Sequence, residues 1–471
     1  MVAGGAEEPR KVVPASDVLA KIQKGDPINY DNSIIEGNLN FGASASIINR
    51  QIHFNNTIFQ DAVDASSTSF NEAVYFEHSK FNGDATFEDT KLNGYASFDG
   101  SSFNGTAYFH RAWFDKYASF RGIKFNGDAS FDSSRFNGST YFDSTNFKGY
   151  ASFDSTEFNG TANFDKIIFN GTAYFHRALL ERYASFDSPI FNKYAYFGST
   201  RFNGYTYFGN TSFNSLAYFE DSRFNGTADF ERARFNGDTY FDNSRFNKTT
   251  IFDDAVFQNT ARFSDSKFLG NTSLNNSLFN KDALFEGANL NCTLYLTRTK
   301  YTNLYISWRN IKNLAYDDAA YLSLMENFKN LGYIEDYDNC YFEYRKEHRS
   351  QNWSGGFHGM SPIEERIRKV FDFGLEVSYG YGKRPLNPLG WSIFFIGLFS
   401  LIWMMAGLDA PIRFSFRAFL SGTRLFIDPP KIPERMKLSR SVLEDILSVE
   451  RALGALFSVL FFLAISATII R

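Results

Sequence analysis

Phenylalanine recurs at alternating intervals of five and six residues through more than half of this 471-residue chain. The pattern is clear at Phe120, Phe125, Phe131, Phe136 and Phe142, which gives a composite period of eleven residues. An amphipathic helix would place an apolar residue every three to four positions, and a half-buried strand would place one every two. A fixed period of another length is typical of a solenoid, whose stacked units together bury a core that one unit cannot bury alone.

Small residues stand two positions before most of these phenylalanines, as Ala129 does before Phe131 and Ser134 does before Phe136. We therefore expect each inward site to hold one large and one small side chain. The inward positions predicted from the eleven-residue step are Phe109, Phe120, Phe131, Phe142, Phe153, Phe164, Phe175, Phe186, Phe197, Phe208, Phe219 and Phe230.

The repeated phrase is a small residue, a polar residue, Phe or Leu, and two polar residues. It resembles the pentapeptide-repeat family, and the sixth residue in alternate units matches a Phe-rich variant. The resemblance implies an all-β, right-handed, four-sided β-helix with about 22 residues per coil. Gly105 to Ala112 recurs as Gly171 to Ala178, and the offset between the two copies equals three such coils. At roughly 4.8 Å per coil, eleven coils would form a rod of about 50 Å.

Changes of composition divide the chain into four predicted segments. Val18, Leu19 and Ile22 ahead of Gly25 predict a short helix that covers the open end of the solenoid. Helical spacing of apolar residues returns after the repeat decays near Cys292. The predicted segments are an N-terminal tail with a capping helix (1–30), a β-helix (31–303), a helical connector (304–385) and a module of two transmembrane helices (386–471).

Two stretches near the C-terminus, about 389–408 and 452–470, contain no charged residue. Each is long enough to cross a hydrocarbon core of about 30 Å as a helix, so we expect a multi-pass protein of the cell membrane. The alternative is two buried helices of a soluble domain, which normally carry a polar stripe. The first residues hold no apolar run typical of a signal peptide, so we expect the solenoid to be cytoplasmic. The basic segment 409–451 opposes this orientation.

Two spans joined by a loop with a short amphipathic helix resemble the pore module of the two-transmembrane potassium-channel superfamily, with residues 412–422 in the place of the pore helix. No Thr-Val-Gly-Tyr-Gly filter follows, which departs from the channel pattern. Residues 379–382, Tyr-Gly-Tyr-Gly, echo a filter but precede the first span, so we discount them. Arginines here would suit anions in a pore or phosphates of lipids, and we favour lipid contact. The candidate pore-loop or lipid-contact residues are Arg413, Arg417, Arg424, Phe419 and Gly422.

Motifs of catalysis are absent from the sequence. It has no Gly-rich phosphate loop and no Gly-x-Ser-x-Gly elbow. It has only two cysteines, which exclude a disulfide framework. His110 and His176 fall on corresponding positions three coils apart, too far to share a metal ion. We expect no enzyme activity, metal or cofactor.

Three functional hypotheses follow from these patterns. In the first, the spans associate into a homo-oligomeric channel or channel-like assembly, with the rod as sensor or scaffold. In the second, the spans only anchor the rod to the lipid bilayer, and its flat faces bind a protein partner. The third is a mimic of DNA that binds topoisomerases. It requires a strongly negative rod, whereas the chain has a net charge of only −4, so we favour this hypothesis least, and we expect no nucleic-acid partner.

Overall fold

The computed structural model of the protein describes residues 10–350, 362–384, 386–423, 428–434 and 436–469. It confirms the predicted solenoid: a parallel β-solenoid of about 14 turns is followed by helices that include two long apolar ones. The chain divides into two compact units, Met1–Ser323 and Leu324–Arg471.

Four short strands form each regular turn of the solenoid. One turn consists of Lys124–Phe125, Ala129–Ser130, Arg135–Phe136 and Thr140–Tyr141. Each strand pairs in parallel with the equivalent strand of the next turn, as Phe125 does with Phe147. The 22-residue coil implied by the internal duplication is therefore the unit of the fold.

Most strands belong to four regular series, and the others differ in length or lie in the end turns. Four series of two-residue strands recur once per regular turn, from Ile58–Phe59 to Val256–Phe257, from Val63–Asp64 to Ala261–Arg262, from Ile47–Ile48 to Lys267–Phe268, and from Ala96–Ser97 to Thr272–Ser273. The remaining strands are Lys11–Pro14, Ile28–Asp31, Ser33–Glu36, Leu39–Asn40, Ile52–Asn55, Val74–Glu77, Leu278–Leu284, Asn289–Tyr295, Lys300–Tyr305 and Ile311–Leu314.

The solenoid has more turns than the eleven expected, because its ends use other apolar residues in place of Phe. Ile35 and Leu39 are buried in the first turns, and Leu304 is buried in the last. The spacing also changes there. The step from Ile34 to its partner Ile58 is longer than the regular coil, and the step from Ala283 to its partner Leu304 is shorter. The phenylalanine period therefore could not reveal the end turns.

The core consists of phenylalanine rings stacked in columns along the solenoid. The Phe131 ring stacks on Phe109 at 4.8 Å and on Phe153 at 5.0 Å, with interplanar angles of 2° and 4°. It also meets Phe120 and Phe142 edge to face, at 5.3 and 5.2 Å. All twelve inward positions named above are 0% exposed. Stacking at the strand spacing thus lets the rings fill the interior as continuous columns.

A left-handed residue turns the chain at every eleventh position. Ser133, Ser144, Lys166 and Arg177 have φ values of 56°, 63°, 55° and 58°. The equivalent position is glycine at 122, where φ is 63°. Since this conformation costs a non-glycine residue roughly 1 kcal/mol or more, the stacked core must offset the strain at each turn.

The first unit contains helix α1, Ala15–Lys24, and helix α2, Phe41–Ser44. Helix α1 buries Ala15, Val18 and Ile22, and it ends at Gly25, where φ is 73°. A 3-10 turn lies at Trp308–Asn310, and helix α3 spans Asp318–Asn330, so the division between the units falls within α3. The predicted N-terminal helix is present, although a paired strand, Lys11–Pro14, precedes it.

The second unit is helical. Its helices are α4 (Ile334–Ser350), α5 (Pro362–Tyr379), α6 (Leu386–Met405), α7 (Pro411–Leu420) and α8 (Arg440–Ile469), with 3-10 turns at Gly380–Gly382 and Ser421–Thr423. Two segments, Leu386–Met405 and Arg440–Ser466, are long and apolar enough to span a membrane. Only 22% and 17% of their most apolar windows are buried, unlike the core helices of a soluble protein.

Candidate functional site in the helical unit

The described residues offer little for covalent or metal chemistry. Among them, no three His, Cys, Asp or Glu side chains are placed to hold a metal ion. Cys292 and Cys340 are buried and form no disulfide. Burial raises the pKa of both thiols, so neither is held as a reactive thiolate.

Helix α7 contacts both long apolar helices, α6 and α8. Its inward face is closely packed, since Ser415 and Ala418 are 0% exposed and Phe419 is 2% exposed. Its other face carries Ile412 and Phe416, which are 71% and 50% exposed. The segment that follows α6 therefore folds back onto the pair of spans as a short third helix.

Two glycines permit a direct backbone approach between this segment and α8. A Cβ atom on Gly454 would lie 1.9 Å from the carbonyl oxygen of Phe419, and one on Gly422 would lie 2.1 Å from that of Arg451. Real Cβ atoms do not approach so closely, so only glycine fits at either position. In contrast, Gly390 and Gly397 of α6 have no atom within 4 Å of the same point.

A buried polar cluster joins the three helices. The side chain of Glu450 in α8 is 0% exposed. Trp403 Nε1 of α6 donates a hydrogen bond of 2.8 Å to Glu450 Oε2, and Ser415 Oγ of α7 contacts Oε1. In the part of the chain that the structure describes, no Lys or Arg nitrogen lies within 4 Å of this carboxyl group. Ionisable groups are costly in apolar helices and commonly mark function.

The Ser415 hydroxyl has two acceptors within reach but only one proton. Besides Glu450, its Oγ lies 3.0 Å from the carbonyl oxygen of Ile396. If Ser415 donates to Ile396, a second hydrogen bond requires Glu450 to donate to Ser415. If Glu450 is ionised, Ser415 donates to it instead. The cluster therefore has two hydrogen-bond arrangements, which differ by one proton on Glu450.

The residues predicted for a pore loop or lipid contact separate into two groups. Arg413 and Arg417 are exposed on α7. They line an open groove of about 470 Å³ with Lys431. Phe419 and Gly422 instead lie at the packed contact with α8. Arg424 lies outside the described residues. Their roles in lipid contact or in a pore stay predictions.

The Tyr-Gly-Tyr-Gly segment forms a strained joint before the first span. Gly380, Tyr381 and Gly382 have φ values of 59°, 55° and 82°. The Tyr381 hydroxyl donates to Asp372 Oδ2 at 2.7 Å and accepts from Arg349 Nη1 at 3.2 Å. The joint thus ties α4 and α5 to the start of α6. A tyrosine between two glycines was the available signal in the sequence, but its partners lie too far along the chain to be inferred from it.

One face of the solenoid carries a half-buried aromatic row, which we call the tyrosine column. Tyr174, Tyr196, Tyr218 and Tyr240 lie on successive turns, with ring centroids 5.2, 4.7 and 5.0 Å apart. The first three line a shallow groove of about 630 Å³ together with Glu220. Tyrosine side chains with one apolar face and a polar tip are enriched at protein interfaces.

The fold and the long helices define a class: a β-solenoid repeat protein with two helices able to span a membrane. The family described as pentapeptide repeats (9 copies) matches overlapping windows, which are 54–102, 87–135, 131–179, 186–234, 219–264, 241–289 and 252–300. These windows together cover just over half of the chain, and the protein belongs to this family. Its repeat fold is structural and serves protein interaction, and it is not typically enzymatic.

The family assignment rests on the repeat alone. No curated protein and no solved structure matched the chain. The family match ends at residue 300, and no family supports the resemblance of the two-span segment to a potassium-channel pore.

Proposed function

We propose that this protein is a membrane-anchored pentapeptide-repeat protein whose two-span unit assembles into an ion-transporting oligomer. The observation that supports it most is the packing of α7 against both spans, because a short helix folded back between two spans is the element that a channel-like module needs. Two spans per chain cannot enclose a pore alone. Several copies would have to associate through their exposed apolar faces.

In this proposal the solenoid lies in the cytoplasm and acts as a sensor or scaffold, and the spans are embedded in lipid. Glu450 positions α7 through Ser415 and links it to α6 through Trp403. Gain or loss of a proton on Glu450 would change the group to which the Ser415 hydroxyl donates its hydrogen bond. Transport should therefore depend on this carboxyl group, although it is too deeply buried in one protomer to touch a passing ion.

The test is ion flux through the purified full-length protein in liposomes, with K⁺, Na⁺, Cl⁻ and H⁺ gradients compared. Gly454→Ala should reduce flux at least tenfold, because its Cβ would displace Phe419 and α7. Gly397→Ala is the matched control, since its Cβ meets nothing within 4 Å. Absence of flux in the wild-type protein across voltage and pH would refute transport. Equal flux in both variants would show that transport does not depend on the position of α7.

The second candidate is an anchored scaffold without a pore, and the tyrosine column favours it. Four nearly parallel rings on consecutive turns offer a flat surface suited to a protein partner. Tyr196→Ala and Tyr218→Ala together should abolish capture of that partner in membranes cross-linked before extraction. Tyr95→Ala is the control, because Tyr95 is an exposed tyrosine of the solenoid that lies outside both the column and its groove. Retained capture in the double variant would argue against this surface.

A further inference from the structure

A second row on the solenoid consists of four stacked cations, which we call the basic column. Arg201 pairs in register with Arg223, Arg223 with Arg245, and Arg245 with Lys267. All four side chains are exposed. Neighbouring strands of a sheet lie about 4.8 Å apart, so the column extends over roughly 14 Å. It places four positive charges on a straight line.

Several arginines elsewhere on the solenoid are neutralised by carboxylates one turn away. Arg135 stands further up the same column, and it forms an ion pair with Glu157 on the next turn. Four other arginines pair in the same way: Arg111 with Asp89 at 2.7 Å, Arg121 with Asp143 at 3.0 Å, Arg177 with Asp154 at 2.9 Å and Arg262 with Asp242 at 2.9 Å.

The basic column lacks such partners. Within the described ranges, no carboxylate oxygen lies within 4 Å of any of its four side-chain cations. Like charges directly opposite one another on adjacent strands are unfavourable. The arrangement therefore reduces the stability of the empty solenoid, and an anion that bridges the four cations would relieve the repulsion.

The surface beside the column supplies further hydrogen-bond donors. Asn203, Asn225 and Asn247 form a parallel row, in which Asn225 Nδ2 donates to Asn203 Oδ1 at 2.6 Å. Each amide nitrogen carries a second hydrogen that this bond does not use. Arg245 Nε donates to Asn247 Oδ1 at 2.7 Å, which orients its guanidinium group. The two rows line an open groove of about 610 Å³.

Two carboxylates, Asp221 and Asp265, also line this groove. Asn243 stands between them in the turn series, so the acidic side is interrupted. Four cations therefore face two carboxylates, and the groove keeps an excess of positive charge. The row of cations, and not a single pocket, is the feature that a ligand would have to match.

We infer that the basic column binds an elongated anion that carries several phosphate groups. Guanidinium groups bind phosphate through two parallel hydrogen bonds, and three of the four cations are arginine. Carboxylates on one face of an extended peptide lie about 6.6 Å apart and do not match the step of the column. Closely spaced phosphates can place an oxygen at each turn. The phosphates come either from a free condensed phosphate or from lipid head groups.

The experiment uses full-length protein in nanodiscs of neutral phosphatidylcholine. Linear inorganic polyphosphate is titrated and binding is measured by calorimetry, and vesicles containing phosphatidic acid are tested by co-sedimentation. The variant Arg201→Gln/Arg223→Gln/Arg245→Gln should lose at least about thirtyfold in affinity, and the single variant Arg223→Gln about fivefold. Arg135→Gln is the control and should change affinity less than twofold, because Arg135 is already paired.

Binding of polyphosphate alone would identify a free ligand, and binding of vesicles alone would identify lipid head groups. Affinity should fall steeply as salt rises from about 50 to 200 mM, because the contacts are ionic. The unliganded triple variant should unfold at a higher temperature in low salt, which also shows that it is folded. An unchanged affinity in the triple variant, an equal loss in Arg135→Gln, equal binding of oligoglutamate, or no binding of either probe would overturn the assignment.

Discussion

Replacing Phe131 by Ala removes one ring from the middle of the stacked core. The Phe131 side chain is 0% exposed and contacts six other rings, two of them face to face at 4.8 and 5.0 Å. Large-to-small changes of buried Phe cost about 3 to 5 kcal/mol. The rigid turns above and below cannot collapse into the space, so we expect a loss of about 4 kcal/mol.

The loss should be local, because each turn of a solenoid contacts only its neighbours. Hydrogen exchange of the full-length protein in detergent measures the free energy of opening for each turn. Amides in the turns of Phe109, Phe131 and Phe153 should lose most of this amount. Amides near Phe230 should change by less than about 0.5 kcal/mol, because distant sites act independently.

The matched control is Phe131→Leu, because leucine occupies buried inward sites at Leu92 and Leu180. It keeps most of the volume and should cost about 1 kcal/mol. A cost below about 1 kcal/mol for Phe131→Ala would refute the account of the core. A loss of equal size along the whole solenoid would refute its local character.

Two further predictions concern charged and polar groups. Burial raises the pKa of Glu220, and the charges of Asp242 and Asp221 raise it further. The stability that Glu220 contributes in its protonated form is therefore present at low pH and is lost as pH rises through that raised pKa. In thermal unfolding, Glu220→Gln should therefore exceed the wild type in stability at pH 7 and match it below about pH 4.5; an unchanged difference across pH would contradict this. Tyr381→Phe removes the hydrogen bond of 2.7 Å to Asp372, and it should destabilise the helical unit by about 1.5 to 3 kcal/mol in denaturant titration. No loss would show that the joint does not depend on this hydroxyl.

The regular part of the solenoid could be predicted from the sequence because the period of its phenylalanines equals half of one coil. Each buried Phe stands at a fixed step, and the step sets which residues face inward. The end turns could not be predicted in this way, because Ile35 and Leu304 are buried there in place of phenylalanine. The left-handed positions were also hidden, because Ser133, Lys166 and Arg177 share only a backbone conformation.

The sequence by itself determined the solenoid, its 22-residue coil and the two apolar helices, because periodicity and apolar length are properties of neighbouring residues. Only the tertiary structure decided the helical site. Trp403, Ser415 and Glu450 lie on three different helices and meet through packing. In the same way, Gly397 and Gly454 look alike in sequence, yet only Gly454 touches another backbone. Contacts between distant segments depend on how helices pack, and a local pattern does not encode that.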